Sequence, residues 1–194
     1  MKTQQSSSPV QAHVPGEVGV WVFILGDMAV FSLFFVTFIY YRAQQVDVFA
    51  ASQALLNQNR GALNTLLLLA SSWFVVLGVR SLHQRLTHVA PWLFGLALAC
   101  GLGFVVVKFF EFGEKIRHGV TATTNAFFMY YFIFSSIHLL HVLIGIGVLA
   151  FIIVHLRKHA VIEPNMMLIE SGASYWHMAD LLWIVLFSLL YLIK

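Results

Sequence analysis

Long apolar stretches alternate with short polar ones along this chain, and the alternation predicts five helices of membrane-crossing length. They are expected over residues 18–41, 62–79, 91–112, 125–156 and 174–193. At 1.5 Å per residue, even the second covers most of a ~30 Å hydrocarbon core, and the fourth, roughly 45 Å long, must tilt or project beyond it. Residues 1–17 are polar, carry Pro9 and Pro15, and are read as a flexible tail leading into an 18–194 transmembrane domain. The run after them is too long for a cleaved signal peptide. Residues 44–60 read as a polar loop without assigned structure, and Arg157 to Ile169 as another. Pro91 suits the first turn of a helix, where its missing donor has no partner to lose. Gly95, Ala99 and Gly103 recur every four residues, a stripe that lets two membrane helices approach closely. The expected fold is all-α, a polytopic bundle of five transmembrane helices.

Composition agrees with the pattern and removes alternatives. Hydrophobic residues make up 60% of the chain and charged residues 10%, which excludes an ordinary soluble domain. The net charge of +3 does not point to nucleic acid, because the basic residues sit in short clusters between apolar segments, where topology signals belong. Five Lys and Arg residues fall on the N-terminal side and six on the other, so the count barely orients the chain. The acid-free cluster Arg80, His83, Arg85 and His88 favours a cytoplasmic N-terminus. The single cysteine, Cys100, excludes an internal disulfide and a cysteine-based metal site.

Three groups of ionisable residues interrupt the apolar helices. Asp27 lies roughly 13 Å into the first helix by the same rise, and a carboxylate at that depth is costly unless a partner holds it. It can exchange protons, or it can tie two helices together. His138 and His141 are three apart and share a face, as do Glu170, His177 and Asp180, with Trp176 and Trp183 forming a neighbouring stripe. Such a face belongs inside a bundle, against a partner or in a wet cleft. Lys108 and Glu111 have the spacing of an i, i+3 pair and are read as marking the exit of the third helix from the bilayer. A haem held by His138 or His141 with His177 would make the chain an electron carrier, and a transporter built on Asp27 is a third reading. Phosphate loops, a nucleophile elbow and HExxH-like metal motifs are missing, so no catalytic apparatus is evident.

The segment ESGASYWHMADLLWIVLFSLLYLI resembles the last helix of subunit III of the haem-copper respiratory oxidases. Glu170, Trp176, His177, Asp180 and Trp183 fill the positions of that pattern. SSIHLLHVLIG is similar to the helix before it, with His138 and His141 in its HxxH pattern. LGDMAVFSLFF resembles the helix that carries a buried carboxylate in the oxidases, with Asp27 where cytochrome c oxidases usually have Glu. Glu111 matches a further acidic position of the family. The likeness runs over nearly the whole chain from Gly16. Two extra N-terminal helices of the seven-helix members have no counterpart, so it resembles the short form, found in quinol oxidases and in the NorE-type subunit associated with nitric oxide reductase. The opening PGEVGVWVFILGDM and Glu170 lean toward the NorE-like group.

The resemblance implies an accessory subunit with no redox centre and no activity of its own, in a bacterial cytoplasmic membrane. It also implies a haem-bearing catalytic subunit as partner, phospholipid in a cleft, and support of the partner's proton uptake and stability. Interhelical bonds are expected first from His177 and Asp180, and proton handling only from Asp27.

Overall fold

A computed structural model describes residues 16–158 and 165–193. The tail expected over residues 1–17 lies outside the described residues up to position 15, as do residues 159–164 of the second loop. All regular structure among the described residues is helical: α1 (Val18–Gln44), α2 (Val46–Ala54), α3 (Gln58–His83), α4 (Ala90–Arg117), α5 (Ala126–Lys158) and α6 (Met166–Phe187), which runs on into one π-helical turn at Ser188–Leu192. All of these except α2 are long and apolar enough to cross a membrane, α6 together with its π turn. The fold is an all-α polytopic membrane bundle.

The helices extend past the apolar runs because their ends are capped by polar residues outside the hydrocarbon. Asn57 opens α3, its side chain accepting from the amides of Asn59 and Arg60 at 3.1 and 3.4 Å. Asn165 does the same for Leu168 at 3.4 Å, so α6 begins at Met166, more than two turns before the expected start near 174. α4 ends on Gly119 at φ +74°, where the Val120 amide reaches the Lys115 carbonyl and the Gly119 amide that of Ile116, a Schellman close. Arg85, at φ +60°, ends α3 in the same way without the freedom of a glycine.

The expected loop after α1 holds a helix instead. α2 turns Phe49 into the core against Phe38 and Phe127, with ring centroids 5.4 and 5.6 Å away. Nine residues with one dominant anchor give too short a period to stand out in the sequence.

α6 is the axis of the bundle. Of its most apolar stretch 61% is buried, against 17% for α1, which lies at the periphery with most of its side chains outward. Trp176 of α6 fills the space that two glycines leave. A Cβ on Gly101 of α4 would sit 2.8 Å from its ring, and one on Gly145 of α5 only 2.6 Å. The small-residue stripe expected at Gly95, Ala99 and Gly103 is not the close interface. Gly95 has no neighbour within 4 Å of a Cβ position and Ala99 is exposed, while the buried ridge of α4 runs through Phe94, Ala97, Gly101, Phe104, Lys108 and Glu111. Spacing by four identified a face of the helix but not which face meets a neighbour.

Candidate functional site

The two histidines of α5, three residues apart, turn to different helices. His141 reaches α1: its Nε2 is 3.2 Å from Asp27 Oδ1, with both side chains nearly buried. Its Nδ1 is 2.8 Å from the Ile137 carbonyl, which can only accept, so Nδ1 carries a hydrogen. Nε2 and the carboxylate oxygen then meet across a gap that needs one proton. That proton sits on the imidazole or on the carboxyl, and the contact persists either way. The Phe31 ring packs edge-on against His141, and the Tyr175 hydroxyl donates to the His141 carbonyl at 3.2 Å. Asp27 Oδ2 is buried without a protein hydrogen-bond partner.

His138 faces inward to α6. Its Nε2–H donates to the Ala179 carbonyl at 3.0 Å, and its ring lies between Phe104 and Trp183 at 5.5 and 5.2 Å. With the hydrogen on Nε2, Nδ1 of the neutral ring is a buried acceptor, and it has no protein donor. Trp183 donates to Thr65 Oγ1 of α3 at 3.0 Å.

His177 and Asp180 both turn to α3 at Ser72. Ser72 Oγ is 2.6 Å from His177 Nδ1 and lies beside the Asp180 carboxyl without the geometry of a hydrogen bond. Asp180 is 5% exposed and both its oxygens lack a protein hydrogen-bond partner. Glu170, on the same helix, serves the rim: it accepts from the Gly16 amide at 3.2 Å and stands 3.2 Å from His83 Nε2 at the end of α3. The neighbouring Glu17 amide donates to Ser171 at 2.8 Å, so the start of α1 is pinned to the start of α6. Glu170, His83, Arg80 and His177 line a cleft of about 330 Å³.

Glu111, expected at the exit of the third helix from the bilayer, is buried inside the bundle. Lys108 and Glu111, 3.0 Å apart, are each 1% exposed, and the Tyr191 hydroxyl donates to Glu111 at 2.6 Å. The Lys108 ammonium also faces the rings of Phe112, Tyr131, Trp183 and Tyr191 at 4.7 to 5.7 Å, so aromatic faces complete the shell around it. Below this cage Arg60 pairs with Glu114 at the rim, and Glu111 lines a cleft of about 820 Å³ with Gln53, Asn57 and Arg60.

The expected residues thus fall into separate contacts. His138, His141 and His177 each engage a different partner, and no cluster of His, Cys, Asp and Glu among the described residues has the form of a metal site. Trp176 is a packing wedge. Tyr191 and Thr65 carry no signal in the sequence pattern, whereas the burial of Lys108 has one, a lysine within an apolar run with an acid one turn on. A groove of about 820 Å³ also opens between α1, α5 and α6, lined mainly by apolar side chains including Val20, Phe23, Ile144, Phe151, Leu168 and Tyr175.

Fold and site define a polytopic membrane protein whose buried ionisable groups join helices. The chain matches the family model described as cytochrome c oxidase subunit III over residues 6–194, and it belongs to that family. It is 29% identical to quinol oxidase subunit 3 of Bacillus subtilis over 90% of this chain and 85% of that protein. It is also similar to the cytochrome bo(3) ubiquinol oxidase subunit 3 of Buchnera aphidicola, at 24% over 90% and 84% of the two chains. A cytochrome c oxidase subunit 3 from Alkalihalophilus pseudofirmus is 26% identical over 96% and 92%.

Proposed function

We propose that this protein is a non-catalytic accessory subunit of a haem-copper respiratory complex in a bacterial cytoplasmic membrane. In this reading it packs on a haem-bearing catalytic subunit, aids assembly, binds phospholipid, and supports proton uptake by its partner. The observation that carries the reading is the engagement of α5 with both neighbours, Asp27 on one side and the Ala179 carbonyl on the other. Deep polar groups used this way hold helices in register, whereas a redox centre needs ligands converging on one point. The names of the relatives, all subunit 3 of quinol or cytochrome oxidases, support a partner of that kind.

Within this role Asp27 and His141 are the proton-handling pair, since their contact requires one proton and can hold it on either atom. His177 with Ser72, and Glu111 with Lys108 and Tyr191, are helix clamps. The groove between α1, α5 and α6 suits an acyl chain by its apolar lining. The short form includes terminal oxidase and NorE-type nitric oxide reductase subunits. The opening segment and Glu170, which suggested the latter, meet at the Gly16 amide. The acid-free basic cluster from Arg80 to His88 supports a cytoplasmic N-terminus in this reading.

Purification from native membranes in mild detergent through a tag on this chain tests the proposal. A large haem-bearing membrane subunit should accompany it in fixed ratio, and the identity of that subunit separates oxygen from nitric oxide as acceptor. A monodisperse chain that brings no haem protein overturns the reading.

A further inference from the structure

The interior between α3, α4, α5 and α6 contains more polar chemistry than helix clamping uses. Asp180 is 5% exposed, and Asn64 and His138 are fully buried. Both Asp180 oxygens, both polar atoms of the Asn64 amide, His138 Nδ1 and Ser135 Oγ have no protein hydrogen-bond partner. A buried polar group left so bears its full desolvation cost, and several together are rarely tolerated dry. Water satisfies such groups where a site offers it two to four polar partners.

A chain of contacts and sequence neighbours links them to the surface. His177 lines the cleft shared with Glu170 and His83 and touches Ser72. Ser72 lies beside Asp180, and Asp180 follows Ala179, whose carbonyl binds His138. His138 packs on Trp183, which binds Thr65, the neighbour of Asn64. Lys108 stands over the Trp183 ring at 4.7 Å, and its partner Glu111 lines the second cleft.

We propose that this interior is a hydrated half-channel for protons, open at the His177 cleft, reaching Asp180, His138 and Asn64, and closed by the Lys108 ammonium. The closure has a physical reason. A continuous water file through a respiratory membrane would dissipate the proton gradient, and a fixed cation at a constriction repels protons. Lys108 is held for that task by Glu111, Tyr191 and aromatic faces, a shell that fixes its position. The ligand of the half-channel is therefore water and the proton, and its end point is the Asp180 to Asn64 segment.

Two measurements on the full chain in lipid test this. In radiolytic footprinting, hydroxyl radicals form from water in place, so a buried side chain is oxidised only where water touches it. His138 and Trp183 should be labelled at least several-fold faster than Phe94 and Phe127, equally buried, with Phe127 packed among the rings of Phe38, Phe49 and Phe128. Equal, near-zero labelling of all four overturns the proposal. For the seal, the neutral double variant Lys108→Met with Glu111→Gln should raise passive proton leak of liposomes several-fold, and adding Asp180→Leu should return it to the wild-type level. A double variant that folds and is as tight as wild type removes the plug, and a leaky wild type contradicts the closure. The footprint needs no variant, so misfolding of the double variant still leaves the hydration claim open to refutation.

Discussion

Gly145→Ala and Gly147→Ala, two residues apart on α5, should move stability in opposite directions. Replacing a helical glycine by alanine alone is worth up to about 1 kcal/mol in favour of the helix. Gly147 has nothing within 4 Å of a Cβ position, so that gain should appear undiminished. At Gly145 the new methyl would lie 2.6 and 2.8 Å from Trp176 Cε3 and Cζ3, roughly 0.8 Å inside ordinary contact. The ring cannot retreat, because its other edge already occupies the place where a Gly101 side chain would stand. α5 and α6 must separate instead, an overpacking cost of about 3 kcal/mol. The net expectation for Gly145→Ala is a loss of about 2 kcal/mol. Reversible unfolding by SDS titration in mixed micelles, followed by helical circular dichroism, measures both. Trp176→Phe should partly rescue Gly145→Ala, with a coupling of at least about 1 kcal/mol in a double-mutant cycle. Equal effects of the two alanines, or strict additivity with Trp176→Phe, would refute the wedge.

Other consequences are equally direct. Asp27→Asn should leave folding and complex recovery nearly unchanged, because the amide can donate to His141 Nε2, while slowing proton uptake by the partner; Asp27→Leu strands that nitrogen and should cost about 1–3 kcal/mol in the same titration. His177→Ala and Ser72→Ala should each lower stability by about 1 kcal/mol and lower recovery of the complex, and together no more than either alone. Lys108→Met alone should be severe, about 3–5 kcal/mol, since it leaves Glu111 buried without its cation; adding Glu111→Gln should recover most of the loss of assembled protein. Gly119→Ala should cost about 1 kcal/mol at its positive φ, whereas Arg85→Gly should gain up to about that much, both read as shifts of the unfolding midpoint.

How far the sequence reached can be seen at particular residues. The apolar runs located the spans because hydrocarbon demands them, but hydropathy is blind to helix that continues in water. Gln58, Asn59 and Arg60 therefore read as loop although Asn57 caps them into α3, and α2 leaves no mark in the hydropathy pattern. Spacing placed His138 and His141 on one face, yet it could not say that one looks to Asp27 and the other to Ala179; that depends on how α1 and α6 flank α5. The sequence joined Glu170 to the His177 and Asp180 face, and the fold divides that face between the rim and the interior. Lys108 shows the opposite failure. Its pairing with Glu111 follows from i, i+3 geometry, but its depth depends on the aromatic shell contributed by residues as distant as Tyr191.

In the proposed function the imidazoles of this chain serve structure and protons, while the electrons pass through another subunit. The most direct test is the absorption spectrum of the chain after it has been stripped from its complex in detergent while still folded. The account predicts no Soret band on the isolated chain and the full haem content on the subunit it leaves. A Soret band that stays with this chain, and disappears on replacing His138 or His177, would contradict it.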